Sequence, residues 1–219
     1  MDDDFNFEPI PGLPEKLPEG EKILWQGRPT FLRLAWHSFG IIWITAYVLL
    51  AMISQVIQSV LGLHEHSFIP VFSFYFLNWS GACLILSVLA YVQMRSTIYT
   101  ITNKRLVLRI GAALPITFNI PFKQILSVGV RAYGKTGSIA LALSGDNKIS
   151  YLSCWPHARP WFFAKPEPSL IFLENIHVVS QILQSAMTKE LGSFKAEKEK
   201  MNINRTIYSP NLKKNVSIA

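Results

Sequence analysis

Charge is missing from two long stretches of this chain. No Lys, Arg, Asp or Glu occurs from Leu34 to His64 or from His66 to Met94, and Glu65 alone separates the two. Charged residues make up only 16% of the sequence, against about 25% in soluble domains. Motifs that carry common chemistries are missing as well. There is no Gly-rich phosphate loop, no Ser nucleophile elbow and no paired-His metalloprotease signature. The two cysteines, Cys83 and Cys154, have no zinc-type spacing, and Cys83 lies inside an apolar run, which disfavours a disulfide between them. The first apolar run follows an acidic, Pro-rich segment and lacks the basic start and cleavage site of a signal peptide. It reads as a retained anchor.

What is present is enough apolar length for a membrane. A hydrocarbon core of about 30 Å needs roughly 20 apolar helical residues. Both charge-free stretches exceed that and predict transmembrane helices over residues 36–60 and 72–92, a hairpin within residues 34–94. Phe68, Phe72, Phe74, Tyr75, Phe76 and Trp79 enter the second helix, and such rings favour the headgroup zone. Ser80, Gly81, Ala82, Ser87 and Ala90 offer small surfaces for close packing, within the hairpin or against another membrane protein.

The remaining charge is unevenly distributed. Residues 1–30 hold seven acids and three bases, a net of −4; from Arg95 onward seventeen bases face six acids, a net of +11, and Arg33 and Glu65 cancel to leave +7 overall. Residues 1–33 therefore read as an acidic N-terminal arm. Arg28, Arg33, Arg95, Lys104, Arg105 and Arg109 flank the hairpin, while the connecting loop with His64, Glu65 and His66 has no Lys or Arg. The positive-inside rule then predicts that both termini are cytoplasmic. A basic domain at the bilayer suits anionic lipid, with Arg33, Arg95, Lys104 and Arg105 as candidate lipid-facing cations. Nucleic acid, the other usual partner of basic domains, is disfavoured because the membrane anchor already accounts for the charge. His64, Glu65 and His66 lack a fourth ligand, so no metal is expected there.

After Arg95 the pattern becomes strand-like. Residues 96–102 and 105–110 form a hairpin around Asn103-Lys104. Residues 114–120, 125–131, 138–143 and 148–153 are further strand candidates, with turns at 134–137 and 145–147. An aromatic, Pro-rich link over 155–161 follows. Residues 168–187 predict an amphipathic helix whose stripe is Leu173, Ile176, Val179, Leu183 and Ala186. Residues 95–190 thus read as a small curved antiparallel sheet, or partly open barrel, closed by a C-terminal helix. Residues 191–219 are polar and basic and read as a flexible tail.

His157 is the most chemically suggestive residue, beside Cys154, Trp155, Arg159 and Trp161. The segment reads as a pin between sheet and helix or as a partner-binding surface. A Cys154–His157 nucleophilic pair lacks an orienting third group, so no enzyme is expected. His37 borders the cytoplasmic end of the first span. An ordinary interfacial role is preferred, and no cofactor is expected.

Two segments resemble bacterial pleckstrin-homology (PH)-like membrane proteins: 19–29, EGEKILWQGRP, and 99–106, YTITNKRL. Two others, 7–14 (FEPIPGLP) and 155–168 (WPHARPWFFAKPEP), are more specific. They resemble the PuhB family of photosynthetic-complex assembly proteins, encoded with the reaction-centre H subunit in purple bacteria. The resemblance covers about residues 5–190 and implies a membrane hairpin followed by a PH-like antiparallel β domain with a C-terminal helix. It also implies non-catalytic work in the intracytoplasmic photosynthetic membrane, with reaction-centre and core light-harvesting subunits as partners and self-association left open. Trp25, Arg28, Trp155, His157, Arg159 and Trp161 are the candidate partner contacts. The alternative is a general anionic-lipid-binding PH-like module of the membrane.

Overall fold

The computed structural model describes residues 10–62, 68–111, 115–145, 149–160, 162–163 and 165–208, with side chains for all of these except Phe68 and 195–208. Runs of β-branched and aromatic residues build two antiparallel sheets. The first has the order β1-β2-β3-β4: β1 (Ile23–Gly27), β2 (Ile98–Thr102), β3 (Arg105–Ile110) and β4 (Ile116–Pro121). The second has the order β5-β6-β7: β5 (Ile125–Tyr133), β6 (Thr136–Leu143) and β7 (Ser169–Glu174). Alternate residues of the strands meet between the sheets: Tyr99, Ile101, Leu106, Leu108 and Ile110 from one side, Ile139, Leu141, Leu170 and Leu173 from the other. Period-2 alternation is the reason one face of each strand is apolar. A long helix, α5 (Ile176–Tyr208), closes the sandwich with Ile176, Val179, Leu183 and Ala186.

The membrane hairpin is inserted within the first sheet. After β1 come one helical turn, α1 (Phe31–Arg33), a π-helical turn at Leu34–Ser38, then α2 (Ile41–Val60) and α3 (Phe68–Ser96), and the chain returns directly into β2. Because β1 and β2 pair antiparallel, with Gly27 opposite Tyr99, both ends of the hairpin leave from one place on the domain. A segment expected to be a separate acidic arm therefore supplies an edge strand. Arg105 anchors it: its Nε donates to Glu21 Oε1 at 2.9 Å, and Glu21 is buried. The Pro-rich stretch before β1 covers the outer face of β2. Gln26 Nε2 donates both to the Pro11 carbonyl at 2.8 Å and to Thr100 Oγ1 at 2.9 Å. Leu13 is buried, and Gly12, at φ 84°, lies so close to Ile98 that a Cβ there would overlap its side chain.

The two long helices expose large apolar side chains along their length, among them Val60 at 81%, Trp43 at 76% and Leu77 at 72%. Left in water, such side chains cost about 1.5–3 kcal/mol each. Their sum would exceed the 5–15 kcal/mol that typically holds a domain together. A helix of a soluble core would be buried, whereas the apolar windows of these two are 6% and 0% buried. The only solvent that suits them is lipid. At about 1.5 Å per residue, the 20 residues of α2 span roughly 30 Å, one hydrocarbon core. The 28 residues Ile69–Ser96 of α3 span roughly 42 Å, the hydrocarbon and a headgroup layer together. Inside the hairpin, Trp79 Nε1 donates to Thr45 Oγ1 at 3.1 Å.

Three expectations change. Residues 149–153 are not a strand: Tyr151–Cys154 is a single helical turn, α4. The amphipathic helix begins at Ile176 rather than 168, because Ser169–Glu174 is strand β7. A bulge explains the confusion. Gly137 pairs with Leu173 and Ile139 with Leu170, so two residues of β7, Ile171 and Phe172, oppose Ser138 alone. The bulge puts Leu170 and Leu173 on the same side, three apart, which imitates helical spacing. The helix also continues past residue 190 to Tyr208, into the segment expected to be a flexible tail. The expected turn over 145–147, the His64–His66 loop, Trp161 and the chain end from 209 fall wholly or largely outside the described residues.

Candidate functional site

The bulge in β7 builds the join between domain and membrane. It turns Ile171 and Phe172 away from the sandwich core to pack with Leu34 of the π turn, together with Phe39, Met94 and Tyr133. Phe172 has φ 48°, a left-handed conformation that is unfavourable for a bulky residue. Its carbonyl accepts from both the N–H and the Oγ1 of Thr30 at 2.9 Å, and its N–H donates to Ser138 Oγ at 3.2 Å. These bonds tie the exit of β1 to β7. Just beyond, Ala35, Ile41 and Ala90 pack with Phe31, Phe39, Cys83 and Leu86, so the bases of both membrane helices are held together.

His157 sits at the centre of this join, fully buried. Its Nδ1 is 2.5 Å from the Tyr99 hydroxyl. Its Nε2 is 3.2 Å from Thr97 Oγ1 and 3.1 Å from the Gln93 side-chain amide. Thr97 Oγ1 donates to the Gln93 carbonyl at 2.7 Å, and the Ile171 N–H donates to the Tyr99 oxygen at 3.3 Å. In either ring tautomer the imidazole is held on both edges, by the Tyr99 hydroxyl at Nδ1 and by Thr97 Oγ1 and the Gln93 amide nitrogen at Nε2, while Thr97 Oγ1 also donates to the last turn of α3. Burial pushes the imidazole down to about 3 and the Cys154 thiol up to about 11, and it raises the Tyr99 phenol too. His157 is thus a neutral pin joining α3, β2 and β7. It cannot be a surface contact for a partner, which corrects one of the six candidate sites. Nor does it activate Cys154, whose thiol is held protonated.

The other candidates divide between two places. Trp25 and Arg28 line a half-open groove of about 470 Å³, with Gly27, Pro29, Thr30, Glu174, Asn175, Val178 and Val179. The Trp25 indole folds over Gly27, where a Cβ would overlap it. Trp155 and Arg159 lie on the β6–β7 loop. Trp155 is half-exposed and meets Phe39 edge-on at 5.5 Å. Arg159 pairs with Glu167 at 2.9 Å and covers the Phe162 ring at 4.1 Å. Trp155 and Arg159 are not among the residues that line that groove. Among the proposed lipid-facing cations, Lys104 and Arg95 are exposed. Arg33 is half-buried and donates to the Tyr133 carbonyl at 3.4 Å, and Arg105 is committed to Glu21. Among the described residues no cluster of His, Cys, Asp and Glu could hold a metal ion.

The architecture defines a membrane-anchored PH-like module. The family described as "Bacterial PH domain" matches residues 39–159, more than half of the chain, and the chain belongs to that family, whose domains are non-catalytic. The match leaves β1, β7 and α5 outside its limits. More particularly, the chain is 40% identical over 197 residues to a protein of Rhodobacter capsulatus described as "Uncharacterized 23.7 kDa protein in puhA 5'region". The alignment covers 87% of this chain and 91% of that one. This homology agrees with the PuhB-like motifs and with a multi-pass protein of the bacterial inner membrane. The chain is also similar to a DUF1696 family protein with a pleckstrin-homology domain from Shewanella loihica. That match has 16% identity and a TM-score of 0.29, over 42% of this chain and 71% of that one.

Proposed function

We propose that this protein is a non-catalytic assembly factor for the photosynthetic reaction centre and its core light-harvesting complex. The observation that carries the reading is the 40% identity, over nearly all of both chains, to a protein encoded in the puhA 5' region. The join around His157 and Phe172 supports a mechanism. Because α2 and α3 are fixed to the domain at both ends, a subunit packing beside the hairpin is presented to the domain in one orientation. The hairpin would meet membrane helices, while the Trp25–Arg28 groove and Lys104 would meet cytoplasmic surfaces of the same partners. Positive flanks on both sides of the hairpin support a cytoplasmic domain.

The test is affinity purification of the full chain from mildly solubilised photosynthetic membranes. Reaction-centre and core-antenna polypeptides are expected to co-purify, and deletion is expected to lower the level of assembled core complex. Their absence from the eluate, with photosynthetic growth unchanged on deletion, overturns the reading. A general lipid-binding module is the second reading, favoured by the net basicity of the domain and exposed Lys104. It requires partner-independent binding to anionic vesicles that falls steeply with salt. Protease added to sealed right-side-out cells checks the orientation: the region beyond Arg95 should remain intact.

A further inference from the structure

The β6–β7 loop carries large apolar side chains that stay exposed. Leu152 is 84% exposed, Phe163 61%, Trp155 48% and Phe162 40%. All four fall within residues 152–163. Leu152 lies in the α4 turn and Trp155 caps its C-terminal end. Phe163 packs on Tyr151 of the same turn, with ring centroids 4.7 Å apart. Arg159 lies over Phe162, and Lys165 is exposed nearby in sequence. Scattered surface apolar residues need no explanation, but a contiguous group with aromatic members does.

The depth of this cluster is fixed by one contact. Trp155 touches Phe39, which immediately precedes Gly40, the residue that caps the membrane helix α2. If α2 crosses the hydrocarbon alone, Phe39 lies at the boundary between hydrocarbon and headgroups, and Trp155 lies there with it. The longer α3 agrees, because it continues through that layer with Val88, Leu89, Tyr91 and Val92 still exposed. Trp and Tyr favour this zone because a ring can be apolar on its faces and polar at one edge.

We propose that the β6–β7 loop is a third membrane contact: Leu152, Trp155, Phe162 and Phe163 dip into the interface of the same leaflet from which the hairpin emerges, and Arg159 and Lys165 lie at phosphate level. The bilayer is the occupant because Trp155 abuts Phe39 at the foot of α2, the level at which the exposed apolar side chains of the spans begin. An insertion of about 5–10 Å, usual for interfacial segments, suits side chains of this size. The loop then gives the domain a contact with the bilayer outside the hairpin, which limits the tilt of the whole molecule on the membrane.

The experiment uses the full-length chain in nanodiscs made only of phosphatidylcholine and phosphatidylglycerol, so its outcome does not depend on the assembly reading. Nitroxides are placed by Leu152→Cys and Phe163→Cys in a Cys83→Ala background; the remaining Cys154 is buried. Power-saturation measurements should show both labels more accessible to oxygen than to a water-soluble nickel chelate. A label at Leu126→Cys, exposed at the opposite end of β5 from Tyr133, should show the reverse. Equal, nickel-dominated accessibility at all three positions overturns the proposal. So does protection of 152 and 163 only after photosynthetic membrane proteins are added, which would make the loop a protein contact. Tryptophan emission gives a second measurement without labels. Lipids brominated near the headgroup should quench the wild-type chain more than Trp155→Phe, and equal quenching counts against insertion.

Discussion

At the scale of single residues, the decisive group is a histidine whose structural role the motif around it does not give. His157 is neutral in the folded protein because burial pushes it down to about 3 from its ordinary 6.5. In the unfolded chain it takes up a proton below about pH 6.5, so the unfolded state binds more protons between that pH and about 3. Stability must therefore fall as the pH is lowered through this window and be fully present above it. Denaturant unfolding in detergent between pH 4 and pH 7 should show this slope. In His157→Gln the slope should be shallower, leaving only the part due to carboxylates that titrate in the same range. A second residue-scale expectation separates structure from lipid binding. Arg105→Ala leaves Glu21 buried without its partner and should cost about 1–3 kcal/mol. Affinity for anionic vesicles should stay unchanged, because the guanidinium is spent on β1. Lys104→Ala should do the opposite, leaving stability alone and weakening any vesicle binding. An equal loss of stability in both variants would contradict this division.

At the scale of elements, the seam between β6 and α5 is the least forgiving. A Cβ at Gly137 would lie 2.7 Å from both the Arg131 carbonyl oxygen and Ile176 Cγ1. The oxygen is backbone and cannot rotate away. Gly137→Ala should lower the unfolding free energy by about 1–3 kcal/mol, as overpacking does. Gly129→Ala, with its nearest neighbour at 3.9 Å, should be neutral or slightly stabilising through the unfolded chain. Thermal unfolding of the two variants side by side checks the contrast. The bulge in β7 belongs to the same scale. By opposing two residues to Ser138 it gives one strand two buried faces, one on the sandwich core and one on the membrane join.

At the scale of the whole molecule, a PH-like domain is interrupted by its own anchor. The pairing of Gly27 with Tyr99 means that the gap left by removing residues 29–96 is only about one strand spacing wide. A chain in which a short Gly/Ser turn replaces those residues should fold as a soluble domain, though less stable for want of Gln93 and Leu34. A fragment beginning at residue 97 should not, because β2 would become an edge strand with an uncovered outer face. Circular dichroism and a cooperative melt in the first but not the second would bear this out. A stable fold in the second would show that β1 is dispensable.

The spans, the basic domain, most of its strands and the stripe Ile176–Val179–Leu183–Ala186 follow from sequence, because charge-free length and local periodicity are properties of contiguous residues. Motif resemblance adds the family. β1 was hidden in an acidic, Pro-rich stretch since its strand character comes from pairing with Tyr99–Thr102, more than seventy positions away. β7 was hidden because its bulge imitates a helix. Neither the neutral state of His157 nor the commitment of Arg105 to Glu21 has any local signature. Both depend on which groups the fold places within hydrogen-bonding distance after water is removed, and only the tertiary structure decides that.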